Sequence, residues 1–115
     1  MAIPPEISNI LLRLNQELTT IEENATRGLS ILGAALDIFP NNNILVQFFA
    51  SLNNILFMAE NYKRQIQTIV ERISPDHVRT EVVQDAGEEL GDLLGRVLEA
   101  KIGMERIIDR LENLQ

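Results

Sequence analysis

The sequence contains no cysteine and no tryptophan, and its only histidine is His77. Without cysteine, the chain forms no disulfide and has no thiolate that could bind a metal or attack a substrate. One histidine supplies too few strong ligands for a zinc site, and a di-iron bundle site needs a Glu-x-x-His pair from each of two helices. The aromatic residues are four phenylalanines and one tyrosine, so the core must be mainly aliphatic.

Basic residues are also few: ten Lys and Arg oppose 17 Asp and Glu, which gives a net charge of −7. This balance argues against nucleic acid and against an anionic membrane surface as partners, because both attract a basic face. Residues 1–6 lack the basic and apolar regions of a secretory signal, and the most apolar window, residues 44–59, is too short to span a bilayer. We therefore expect a cytoplasmic protein with a single domain over residues 1–115.

Three stretches of the chain each carry apolar residues at alternating intervals of three and four. This spacing keeps the apolar side chains on one narrow side of a helix. The stripes are Ile7, Leu11, Leu14, Leu18, Ile21, Ala25, Gly28, Leu32, Ala35 and Phe39; Leu45, Phe48, Leu52, Ile55, Ala59, Tyr62, Ile66, Ile69 and Ile73; and Val83, Ala86, Leu90, Leu93, Val97, Ala100, Met104, Ile107, Leu111 and Leu114. The pattern predicts an all-α fold of long, heptad-patterned helices packed side by side.

Prolines mark the breaks between these helices. Pro40 disfavours helix at the preceding residue, and the three asparagines that follow it suit an N-cap. Ser74 and Pro75 suit a second N-cap and first helical residue. These breaks predict three helices, which span about residues 6–39, 43–73 and 76–114.

The connections between the predicted helices are short, so neighbouring helices should run antiparallel. We therefore predict an antiparallel, up-down-up three-helix bundle. The start of helix 3 leaves alternatives open, because its apolar stripe begins only at Val83 and Gly87 allows a bend. A short separate turn near residues 75–80 is one of them.

One end of such a bundle has more apolar residues than a lone bundle needs. The end of helix 1, the start of helix 2 and the end of helix 3 meet there, and all four phenylalanines fall in this part. Phe57 and Met58 lie well away from the apolar stripe of helix 2, and lone soluble proteins rarely expose such surface. We predict a homo-oligomer, with a dimer as the first expectation and another helical protein as the alternative partner.

Gly87, Gly91 and Gly95 are spaced by four in helix 3, where each glycine costs about 0.8–1 kcal/mol relative to alanine. Small residues at this spacing let two helix backbones approach closely. Three interpretations stay open: room for bulky neighbours within one chain, a subunit contact, or a slot for a hydrophobic ligand. The predicted interface residues are Phe49, Phe57, Met58, Gly87, Gly91, Leu94, Gly95, Leu98 and Ile102.

Acidic residues recur at intervals of three and four early in helix 3. Carboxylates at this spacing share a helix face, and magnesium takes such oxygen ligands. The segment Glu88-Glu89-Leu90-Gly91-Asp92-Leu93-Leu94 resembles the second half of the metal motif in all-α nucleotide pyrophosphohydrolases of the MazG type. The resemblance implies that Glu89 and Asp92, with Glu88 beside them, bind magnesium. The preceding helix lacks the acidic triplet that this family places there.

Ion pairing offers a second role for these acids. Lys63, Arg64 and Arg72 lie toward the end of helix 2, alongside the start of an antiparallel helix 3. Charged residues that flank an apolar stripe set the pairing and orientation of helices.

The segment His77-Val78-Arg79-Thr80 is similar to the phospho-acceptor box of sensor kinases, which implies a single-histidine phosphotransfer module. The arginine spacing differs, however, and no proline follows Thr80. An exposed histidine near the helix cap is the alternative. We predict a non-catalytic, self-associating interaction or structural module without a cofactor or resident metal, with the magnesium-dependent pyrophosphohydrolase and the phosphotransfer module as alternatives.

Overall fold

The computed structural model describes residues 3–114, so residues 1 and 2 of the opening segment and residue 115 of the predicted domain lie outside the described residues. The three helices are α1 (Pro5–Ile38), α2 (Asn43–Ile73) and α3 (Thr80–Asn113). Each helix contacts both others, and together they form a rod that measures 59 × 19 × 16 Å. The prediction of an all-α three-helix bundle is therefore confirmed.

Contacts between α1 and α2 show that these helices are antiparallel. Glu22 of α1 forms an ion pair with Lys63 of α2. Further along α1, Gly28 lies against Leu52, which comes earlier in α2. Residue numbers therefore increase along α1 in the direction in which they decrease along α2.

Contacts between α1 and α3 show that these two helices are parallel. Gly87 lies beside Ile7 near the start of both helices. Further along both, Lys101 forms an ion pair with Glu17. Since α2 runs opposite to α1 and α1 runs parallel to α3, the bundle has the predicted up-down-up order.

The core is built from the three predicted stripes. Every residue that is buried among residues 3–114 belongs to one of them. The largest fully enclosed side chains are Leu14, Leu18, Ile21, Leu32, Leu52, Ile73, Leu90, Val97 and Met104. Two stripe members were predicted wrongly: Phe39 and Leu114 are 59% and 64% exposed, because each follows the last residue of its helix.

Asn42 begins α2 as the asparagine-rich turn predicts. Its side-chain oxygen accepts hydrogen bonds from the backbone N–H groups of Ile44 and Leu45, at 3.0 and 3.1 Å. These donors have no partner within the helix, so the cap satisfies groups that would otherwise depend on water.

The predicted start of helix 3 at residue 76 is wrong, and the alternative of a short separate turn near residues 75–80 is confirmed. The hydroxyl of Ser74 does not cap α3 but donates to a backbone carbonyl of α2 at 2.6 Å. The chain then passes through His77, whose φ of +63° is left-handed and interrupts a right-handed helix. As a result α3 begins only at Thr80 and then continues through Gly87 without interruption.

The enclosed stripes predict a large difference between core and surface truncations. Leu52→Ala removes a fully buried side chain and should lower the free energy of unfolding by about 2–5 kcal/mol. Leu12→Ala is the matched control, because Leu12 is 59% exposed and its truncation should cost no more than about 0.5 kcal/mol. Urea denaturation measures both, and equal losses would contradict this core.

Candidate protein-interaction surface

An ion pair bridges each of the three helix interfaces. The pairs are Glu22–Lys63 between α1 and α2, Glu17–Lys101 between α1 and α3, and Arg72–Glu89 between α2 and α3. All six residues flank the buried stripes, where opposite charges fix the register of neighbouring helices. The predicted pairing between helices 2 and 3 is formed by Arg72, whereas Lys63 pairs with α1 and Arg64 bonds to Asn61 of its own helix.

The pair between α1 and α3 is the most enclosed of the three. One carboxylate oxygen of Glu17 is shielded from solvent, and the ammonium group of Lys101, 2.8 Å away, balances its charge. Hydrogen bonding to Glu17 raises the pKa of Lys101. Lys101 therefore stays protonated. Without it, the flank of α1 would hold a shielded carboxylate with no compensating charge.

The pair between α2 and α3 engages one of the predicted magnesium ligands. The guanidinium of Arg72 donates to both carboxylate oxygens of Glu89, at 3.0 and 2.7 Å. These hydrogen bonds lower the pKa of Glu89. Bidentate pairs of this kind have a defined geometry as well as a favourable energy.

The other predicted ligands, Glu88 and Asp92, are exposed on α3 beside Glu89. Among residues 3–114, no group of three or more His, Cys, Asp or Glu side chains stands close enough together to hold a metal ion. The arrangement of side chains therefore gives the pyrophosphohydrolase alternative no support.

His77 lies in the turn between α2 and α3 and is exposed. Helix-bundle phosphotransfer proteins present their reactive histidine on a helix face, which this position does not provide. The phosphotransfer alternative gains no support either.

Two of the three predicted interface glycines of α3, Gly91 and Gly95, face open space. A Cβ at Gly91 or Gly95 would have no non-neighbouring atom within 4 Å, and a Cβ at Gly87 would make an ordinary contact of 3.6 Å with Ile7. Gly91 and Gly95 therefore make no room for neighbours within the chain, whereas Gly87 packs against Ile7. Close packing depends instead on Gly28, where a Cβ would lie 2.8 Å from the Leu52 side chain.

The predicted interface residues lie on two helices. On α3, the exposed members are Gly91, Gly95 and Ile102, and the half-buried members are Gly87, Leu94 and Leu98. On α2, Phe57 is 63% exposed. Phe49 and Met58, also on α2, are half-buried.

Exposed apolar side chains concentrate at the end of the bundle where α1 ends, α2 begins and α3 ends. Those at this end are Ile38, Phe39, Ile44, Val46 and Leu114. A cleft of about 250 Å³ between the three helices is lined there by Ile31, Ala35, Phe39, Asn42, Leu45, Leu111 and Leu114. The apolar surplus therefore remains on the surface of the lone chain.

Along the flank between α1 and α2, apolar residues replace charged residues toward this apolar end. Near its middle, the flanking positions carry the ion pair of Glu22 and Lys63. The same helical positions one and two heptads nearer the apolar end are Leu29 and Leu36 on α1, and Leu56 and Phe49 on α2. All four are half-buried and pack against the core. Apolar residues thus replace the charges that usually flank a helical bundle.

No charged residue occurs in residues 28–36 or in residues 38–59. The surface that these two segments present is called the uncharged flank, and it comprises Leu29, Gly33, Leu36, Val46, Phe49, Asn53, Leu56 and Phe57. Loss of charge and enrichment in aromatic residues distinguish the centres of protein interfaces from other surface. Most of these residues are missing from the predicted interface, although the long run without charge could have revealed them.

Comparisons with protein-family models, with curated proteins and with solved structures gave no significant match. None of the three helices within residues 3–114 contains an apolar stretch of the length that a transmembrane span requires.

The open glycine face predicts an unusual gain in stability. Gly91→Ala and Gly95→Ala should each raise the free energy of unfolding of the lone chain by about 0.8–1 kcal/mol, because alanine favours helix and its methyl group meets no obstacle. In the control, Gly28→Ala, crowding against Leu52 should offset or reverse this gain. Urea denaturation at low protein concentration measures all three, and a loss in Gly91→Ala would contradict an open face.

The lowered pKa of Glu89 predicts part of the acid sensitivity. Its pair with Arg72 stabilises the fold above the ordinary carboxyl pKa of 4.5, and this contribution is lost as the pH falls through the lowered pKa. Glu89→Gln should therefore flatten the decline of the urea midpoint between about pH 5 and about pH 3. Glu88→Gln is the control, and an equal flattening there would rule out a special role for Glu89.

Proposed function

We propose that this protein is a non-catalytic helical-bundle module that acts by binding protein, and that its first partner is a second copy of itself. The observation that carries this proposal is the uncharged flank, together with the exposed apolar side chains at the adjoining end of the bundle. Apolar patches of this kind on soluble proteins mark sites of association.

The polar side chains support the same proposal. The ion pairs described above join one helix to another, so their residues hold the bundle together. Such flanking charges set helix register and direction and need no substrate. The structural role of Arg72 and Glu89 thus accounts for the segment that otherwise resembles a metal motif.

Sedimentation equilibrium tests self-association directly. At roughly 50 µM we expect a mass of twice the 13.0 kDa chain, since micromolar affinity suffices for a dimer at this concentration. The mass should persist at about 1 M salt, because an uncharged interface owes little to screened electrostatic attraction. A chain that sediments at 13.0 kDa throughout would overturn the proposal.

A further inference from the structure

We propose that two copies pack through the uncharged flank, with the two-fold axis beside α2 between Val46 and Phe57. This inference rests on the proposed self-association and names its interface. The α1 and α2 helices of each copy would then form a local four-helix bundle at the apolar end of the rod. Such an isologous contact closes on itself and leaves no free interface for further copies.

The sequence of α2 contains a second apolar stripe that suits this packing. Val46, Phe49, Asn53 and Leu56 follow intervals of three, four and three. Each lies one residue after a member of the buried stripe, so the second stripe is rotated outward from the core. It ends at Glu60, the first charged residue beyond the run of residues 38–59. A helix with two apolar stripes is adapted to packing on two sides.

Charge limits which surface two copies of this chain can share. With a net charge of −7, two copies repel each other wherever acidic surfaces meet. The residues of the uncharged flank carry no carboxylate of their own, so repulsion between two copies is weaker there than on the acidic faces. A basic partner would be attracted to the acidic residues elsewhere on the chain. The uncharged flank offers it no electrostatic attraction and so would not select it.

Asn53 gives the contact a means of fixing its register. Its side chain is exposed in the lone chain and lies among apolar neighbours of the second stripe. An amide both donates and accepts hydrogen bonds, so it can pair with its own copy across a two-fold axis. A single asparagine within an apolar helical seam is known to select one register and one oligomeric state.

The glycine face is a weaker candidate for the same contact. Gly91 and Gly95 stand in the acidic part of α3, close to Glu88 and Asp92. Two copies that met there would bring like charges together, which costs free energy. This face therefore serves as the comparison surface in the test.

Introduced cysteines can locate the interface, since the native chain has none. Ala50→Cys and Asn53→Cys are placed on the outer side of α2, and Gly91→Cys and Gly95→Cys are the controls on α3. Disulfides form only where two Cα atoms approach to about 4.4–6.8 Å. Under mild oxidation we expect a covalent dimer from at least one α2 variant and monomer from both α3 variants.

Charge insertion provides a second, independent measurement. Phe57→Glu should raise the dimer dissociation constant by at least about a hundredfold, because the interface would bury an unpaired carboxylate. Leu12→Glu is the matched control, because Leu12 is similarly exposed but lies near the end of the rod away from the apolar end. The dimer of this variant should keep the native dissociation constant. Circular dichroism checks that both variants keep their helices.

The outcomes separate this inference from the proposed function. A native chain that sediments as a monomer overturns both. A dimer that tolerates Phe57→Glu overturns the uncharged flank as its interface and leaves self-association standing, whether or not the α3 cysteines join. A dimer that Phe57→Glu dissociates, and that an α2 cysteine locks, supports both.

Discussion

Burial of three aliphatic stripes is the constraint on which the rest of this structure depends. The stripes occupy one side of each helix and enclose almost the whole length of the rod, without a tryptophan and with aromatic rings mainly at its margins. Because all three helices pack around these stripes, their other faces either flank a helix interface or contact solvent. An apolar face among them is a candidate for binding another protein.

Charged and apolar flanks differ in the free energy that they contribute. An exposed ion pair such as Arg72–Glu89 contributes little to stability and can be left in water at no cost. Full burial of a Val, Leu or Phe side chain contributes about 1.5–3 kcal/mol, but only when something covers it. The replacement of flanking charges by Leu29, Leu36, Phe49 and Leu56 therefore creates a driving force for association that the charged flanks do not have.

Sequence patterns predicted the fold and the core well, and they failed where the backbone departs from regular helix. Ser74 and Pro75 have the chemistry of a helix start, yet the left-handed His77 delays α3 until Thr80. The apolar stripe, which begins only at Val83, left a short turn near residues 75–80 open, but the capping pattern favoured the earlier start and no local pattern placed the left-handed residue at His77. The surface was predicted in part: Phe49 and Phe57 belong to the uncharged flank, whereas Asn53 is absent from the predicted interface.

By itself, the sequence determined the lengths of α1 and α2, the stripes that all three helices bury and the positions of the turns that reverse the chain, because these follow from spacing along a single helix. Only the tertiary structure decided that Lys63 pairs with Glu22, that Gly91 faces open space and that the uncharged flank lies between α1 and α2. Those features depend on the register between residues that are far apart in the chain. That register is set when all three stripes pack at once, and no local pattern contains it.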